Sequence, residues 1–119
     1  MTNCDVYIND NIINVHIKSK INADEARYIA TEAIPLMEKH KTILHGGIID
    51  LTEASDADTI ARKELAVSLE KCSGYLRKVA VYAPDMKRRV VAKIVLTMGG
   101  WRDYKMFSDR AKAIDWLKQ

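Results

Sequence analysis

Chain breakers and covalent staples are scarce in this sequence, which has two prolines, five glycines and two cysteines in 119 residues. So little proline and glycine excludes a linker-rich or low-complexity chain. Cys4 and Cys72 lie far apart and fit no metal-ligand spacing, so they read as reduced thiols of a cytoplasmic protein rather than a disulfide framework. No run of about 18 apolar residues is present, which excludes a membrane-spanning helix. Met1-Thr-Asn-Cys-Asp5 has neither the basic flank nor the apolar centre of a secretory signal, and a cytoplasmic location is expected. Aromatic residues make up only 7% and are scattered, too few for a base-stacking platform. A net charge of +3 does not imply a nucleic-acid partner.

Catalytic patterns are absent too. His16, His40 and His45 share no metal spacing with one another or with a cysteine or acidic residue. No Ser-His-Asp, Cys-His, Walker or dinucleotide pattern occurs, and Gly46-Gly47 and Gly99-Gly100 by themselves do not cradle a phosphate. The expectation is a chain with no enzyme activity, no metal and no cofactor.

What is present is an ordinary globular composition, 48% apolar and 29% charged, in a length that suits one domain over 1–119. Val6 to Ile17 reads as a hairpin turned by Asp10-Asn11, residues that tolerate positive φ. That loop pairs Ile8 with Ile13, Val6 with Val15 and Cys4 with Ile17 on one face, leaving Asp5, Tyr7, Asn14 and His16 on the other. Asn22-Ala-Asp-Glu25 is a capping-box helix start, and apolar positions 26, 29, 30, 33 and 37 carry the helix to about His40 with a kink at Pro35. Gly46–Leu51 is a strand, and Ser55-Asp-Ala-Asp58 starts a helix buried through Ile60, Ala61, Leu65, Leu69 and Cys72. Ser73-Gly74 stops it through a left-handed glycine.

Val79–Ala83 has the unbroken apolar pattern of a strand buried on both faces. Pro84-Asp85 opens a third helix, with Val90, Val91, Ile94, Val95 and Met98 expected inward and Gly99-Gly100 at its end. Tyr104–Phe107 is the last strand. Ser108-Asp109 caps a final helix with Ala111, Ile114 and Trp116 or Leu117 inside. The order ββαβαβαβα predicts an α/β domain with a mostly parallel sheet and an N-terminal hairpin at one side.

With these segments in place, the chain resembles the SpoIIAA-like group, the STAS (sulfate transporter and anti-sigma antagonist) and CRAL-TRIO-related small domains. The resemblance covers nearly the whole chain. It rests on the hairpin, the helix with Ala33-Ile-Pro-Leu-Met-Glu38, the strands Ile48–Leu51 and Lys78–Tyr82, and the ending Met106-Phe-Ser-Asp109 followed by Ala113–Leu117. It implies a non-enzymatic binding or regulatory domain, one that engages protein partners under phosphorylation control or holds hydrophobic ligands. Carried over by position, the antagonists' phosphorylated serine falls at Asp58-Thr59, although the serine-glycine pair of that pattern is missing. Thr59, with Ser55 nearby, is therefore the candidate phosphosite. A first-turn helix residue beside its cap is the plain alternative.

Two features exceed what a scaffold needs. Lys87-Arg88-Arg89, Lys93, Arg102 and Lys105 gather positive charge around the third helix, suited to anionic lipid headgroups, or else simply its solvated face. Met98-Gly-Gly-Trp101 reads either as an exposed apolar lip or as a tryptophan covering a sheet edge. Together they give a candidate binding site for an apolar or amphipathic ligand or a membrane surface, made of Lys87, Arg88, Val91, Val95, Met98, Trp101 and Tyr104. An alternative is a STAS-type interaction regulator switched near Thr59. The hairpin's free edge is a candidate homodimer contact. Asp50, at the end of a strand, lacks the acidic pair of a receiver phosphoacceptor and is expected to bond its own loop.

Overall fold

A computed structural model describes residues 3–55 and 57–119. Asp56, part of the expected Ser55–Asp58 helix start, lies outside them. The elements are β1 (Cys4–Asn9), β2 (Ile12–Ile17), α1 (Ala23–His40), β3 (Gly46–Asp50), α2 (Thr59–Cys72), β4 (Val79–Tyr82), α3 (Met86–Met98), β5 (Tyr104–Phe107) and α4 (Arg110–Leu117). They build a five-stranded sheet in the order β1-β2-β3-β4-β5. Only the β1–β2 pair is antiparallel.

The hairpin has the predicted register, Cys4 with Ile17, Val6 with Val15 and Ile8 with Ile13. Asp10 and Asn11 both sit at positive φ, 56° and 58°, the backbone of a two-residue turn whose twist matches the strands. β1 is an edge of the sheet.

α1 begins with the predicted box: Asn22 Oδ1 accepts from Glu25 N at 2.8 Å, and Glu25 Oε1 accepts from Asn22 N at 3.0 Å. The helix stays continuous through Pro35. Pro35 and Thr31, whose carbonyl loses its usual partner, are both exposed, so water can satisfy the freed group.

α1, α2 and α3 cover one face of the sheet, where Val15, Ile17, Val79 and Val81 point. α4 alone covers the other, packing Ala113 and Leu117 on Ile12, Ile48 and Ala80. Three close approaches hold the helical layer together. Ser68 Oγ donates to the Ala26 carbonyl at 2.6 Å, joining α2 to α1. Trp101 Nε1 donates to the Leu69 carbonyl at 3.0 Å. Gly99 brings the end of α3 so near α2 that a Cβ there would lie 2.9 Å from the Ala66 carbonyl oxygen.

Several expectations need correction. Ile60, placed in the buried stripe of α2, is exposed because it precedes the first inward turn. Gly74 does not take a left-handed conformation; a single 3₁₀ turn, Ser73–Tyr75, ends α2 instead. In α3 the inward residues are Ala92, Val95 and Leu96, with Val91 half-buried, while Val90, Ile94 and Met98 face out. In α4 the buried pair is Ala113 and Leu117, and Ala111 is exposed. In α3 the expected set mixed two stripes, Val91 and Val95 on the inner side and Val90, Ile94 and Met98 on the outer, since both satisfy the same helical spacing.

Candidate functional site

The main cavity lies on the three-helix face, between α2 and α3 and above the C-terminal ends of β2 and β3. Its volume is about 580 Å³, within the roughly 300–1,000 Å³ of small-molecule sites. Ile17, Ile49 and Leu51 form the floor, Leu65 and Leu69 one wall, and Val91 and Val95 the other. Parallel α/β sheets bind ligands at this end because the strands stop there and the loops diverge.

Polar groups gather toward the N-terminal end of α3. Asp85 caps that helix, accepting from Arg88 N at 2.8 Å, and also forms an ion pair with the Arg88 guanidinium. Arg88 Nε donates to the Ala54 carbonyl at 2.8 Å, tying the start of α3 to the β3–α2 loop. The amide and guanidinium of Arg88 hold the Asp85 carboxyl below its ordinary range. Ser55, Arg62 and Lys87 complete the polar lining.

Four of the seven predicted ligand residues, Lys87, Arg88, Val91 and Val95, therefore line one cavity. The other three do not. Met98 faces outward. Trp101 is only 7% exposed and packs inside with Leu69 and Val79, so the exposed lip does not exist. Tyr104 is half-buried against that same cluster. Gly99 and Gly100 turn the chain back at the end of α3, Gly100 with φ 79°, and this sends the indole inward. The α2 wall and the floor were missed because Leu65, Leu69 and Ile49 look like any core residues in sequence.

Thr59 is exposed at the first position of α2, and Asp58 caps that helix through a 2.8 Å bond from Ala61 N to its Oδ1. Ser55 is exposed in the loop before it. Asp50 behaves as expected, its Oδ1 accepting from Thr52 N at 3.0 Å and Thr52 Oγ1 at 2.7 Å.

The α4 face, to which the hairpin register assigned Asn14 and His16, carries a polar cluster. Asn14 is buried and accepts from Arg110 Nη2 at 2.6 Å while donating to the Ile12 carbonyl at 2.9 Å. Arg110 Nη1 also lies 3.8 Å from Asp50, and His16 Nε2 is 2.7 Å from Glu53. Among the described residues no group of three or more His, Cys, Asp or Glu could hold a metal. No helix among them is long and apolar enough to cross a membrane.

Among solved structures, a DUF3478-family protein from Shewanella loihica with a SpoIIAA-like fold matches 96% of this chain and 91% of its own, at TM-score 0.65 and 17% identity. The fold is SpoIIAA-like. An anti-sigma factor antagonist from Mycobacterium paratuberculosis matches 98% of this chain and 93% of its own, at TM-score 0.63 and 14% identity. At such identities the SpoIIAA-like likeness is one of backbone. No family model and no curated protein matches the sequence.

Proposed function

We propose that this SpoIIAA-like domain is a non-catalytic, cytoplasmic regulatory module that acts by holding a protein partner, in the manner of the anti-sigma factor antagonist whose fold it shares. The observation that carries this reading is the exposed hydroxyl of Thr59 at the first position of α2. A phosphate there would meet the free amides and positive end of the helix, with Lys63 one turn on at i+4. The neighbouring Asp58 carboxylate opposes it, so the modified corner would carry a strong local negative charge. That suits a switch that expels a partner.

The test is affinity capture of the tagged protein from its own cells, compared for wild type, Thr59→Ala and Thr59→Glu. A stoichiometric partner retained by Thr59→Ala and reduced at least tenfold by Thr59→Glu is expected. Equal capture by all three ends the switch reading. Absence of any stoichiometric partner ends the regulator reading.

The cavity favours a second reading, in which the domain holds an apolar or amphipathic molecule. Its walls are aliphatic, and its polar groups cluster at one end, where an acidic head could meet Lys87. Native mass spectrometry of gently purified protein should show a bound small molecule that Val91→Phe, which fills the space between α2 and α3, removes without loss of Tm. A clean apo mass for the wild type counts against it.

A further inference from the structure

α3 is apolar on two sides, and the core uses only one. Ala92, Val95 and Leu96 are buried, whereas Met86, Val90, Ile94 and Met98 are 71%, 49%, 47% and 49% exposed. The exposed four recur at every fourth residue. At about 1.5 Å per residue they form an outer ridge about 18 Å long. Folding does not require such a ridge, and monomers do not usually align exposed apolar side chains into one patch.

The charge along the ridge is mostly positive, and the one carboxylate at its N-terminal end, Asp85, is paired with Arg88. α3 contains Lys87, Arg88, Arg89 and Lys93 and no acidic residue. Arg88 and Arg89 point back toward the body of the protein, donating to the Ala54 and Ala83 carbonyls at 2.8 and 3.0 Å. Lys87 and Lys93 are exposed on either side of the ridge, and Arg102 is exposed in the turn beyond its C-terminal end next to Asp103, while Lys105 lies over Phe107 on the α4 face and takes no part.

We propose that the outer face of α3 is a docking ridge for an anionic membrane surface. A helix lying in the interfacial plane needs one apolar stripe to enter the acyl boundary and cations beside it to meet acidic headgroups. α3 supplies both, already folded and held rigid by its buried side. A second copy of the chain fits poorly. Like-charged lysines would face each other, and four half-exposed side chains fall far short of the roughly 20–30 residues a side of a stable protein interface.

The ridge and the cavity share Met86 and Lys87, which line the cavity and are also exposed. Docking would therefore bring the polar end of the cavity to the headgroup layer. The docking itself stands on the ridge alone and does not depend on the Thr59 switch or on cavity occupancy.

The experiment is co-sedimentation of the full chain with vesicles of phosphatidylcholine alone and of phosphatidylcholine with 30 mol% phosphatidylglycerol, at low and high salt. Wild type should bind only the anionic vesicles, with at least tenfold weaker partitioning at high salt. Val90→Ser/Ile94→Ser and Lys87→Gln/Lys93→Gln should each lower partitioning at least tenfold. All four positions are exposed, so Tm should be unchanged, and circular dichroism confirms that the variants fold. No binding to anionic vesicles, or binding indifferent to both double variants, overturns the proposal. A concentration-dependent dimer abolished by Val90→Ser/Ile94→Ser, without vesicle binding, would assign the ridge to a second copy instead.

Discussion

Trp101 Nε1 donates to the carbonyl oxygen of Leu69 across 3.0 Å, so the turn after α3 is bolted to the last turn of α2. The indole is part of the core and not a ligand lip. Trp101→Phe should cost about 1–3 kcal/mol by leaving a buried carbonyl unpaired, and Trp101→Ala about 3–5 kcal/mol through the cavity it opens. Urea denaturation measures both. A loss under 0.5 kcal/mol for Trp101→Ala would contradict this placement.

Adjacent glycines should fail for different reasons. At Gly99 a Cβ would meet backbone, the Ala66 carbonyl oxygen at 2.9 Å, so Gly99→Ala must push α3 from α2 and should cost about 1–3 kcal/mol. At Gly100 there is open space but φ is 79°, so Gly100→Ala should cost about 1–2 kcal/mol in backbone strain. Asparagine tolerates left-handed backbone. Gly100→Asn should therefore be milder than Gly100→Ala, while Gly99→Asn should be worse than Gly99→Ala. Thermal melts of the four variants decide this.

Arg110 holds the buried Asn14 side chain at 2.6 Å. Arg110→Met strands that acceptor and should cost about 1–3 kcal/mol. Removing both partners in Asn14→Leu/Arg110→Met should be less damaging than the single change at Arg110, since no buried polar group of the pair remains unmatched. A double variant that loses the sum of the two single effects would show that they do not interact.

Burial pushes the Cys4 thiol up to about 12, with the nearby Asp5 and Glu25 charges adding to it, and the Cys72 thiol up to about 11. Both start from 9.0 in the unfolded chain, so between these values the unfolded state has released protons that the folded state keeps. Stability from these groups is fully present below pH 9.0 and is lost as pH rises toward 11 and 12. Urea midpoints should decline above pH 9.0, less steeply in Cys4→Ala/Cys72→Ala than in wild type. Native alkylation by iodoacetamide at pH 8 should be slow, and rapid labelling without unfolding would contradict the burial.

Much of the scaffold was legible because it is written in local chemistry. The Asp10-Asn11 turn determined the β1–β2 register, since two residues at positive φ leave only one pairing that puts Val6 and Val15 on the same face. Asn22 with Glu25, and the aspartates 58, 85 and 109, mark helix starts because the first amides of a helix need a side-chain acceptor wherever it sits. Alternation of strands and helices was enough for a mostly parallel sheet.

Tertiary structure alone decided which face of each helix is inside and what the faces enclose. Periodicity gives a helix an apolar spacing but not a phase when two stripes compete, so Val90, Ile94 and Met98 looked as inward as Val91 and Val95, and Ala92 and Leu96 were passed over. Only packing against α2 and the sheet separates them. The same packing turned Trp101 inward, left a cavity of about 580 Å³ between α2 and α3, and brought Arg110 to Asn14 from 96 residues away. Each depends on distances between elements remote in sequence. No local pattern encodes those distances, because they follow from the volumes of all the side chains packed between the elements.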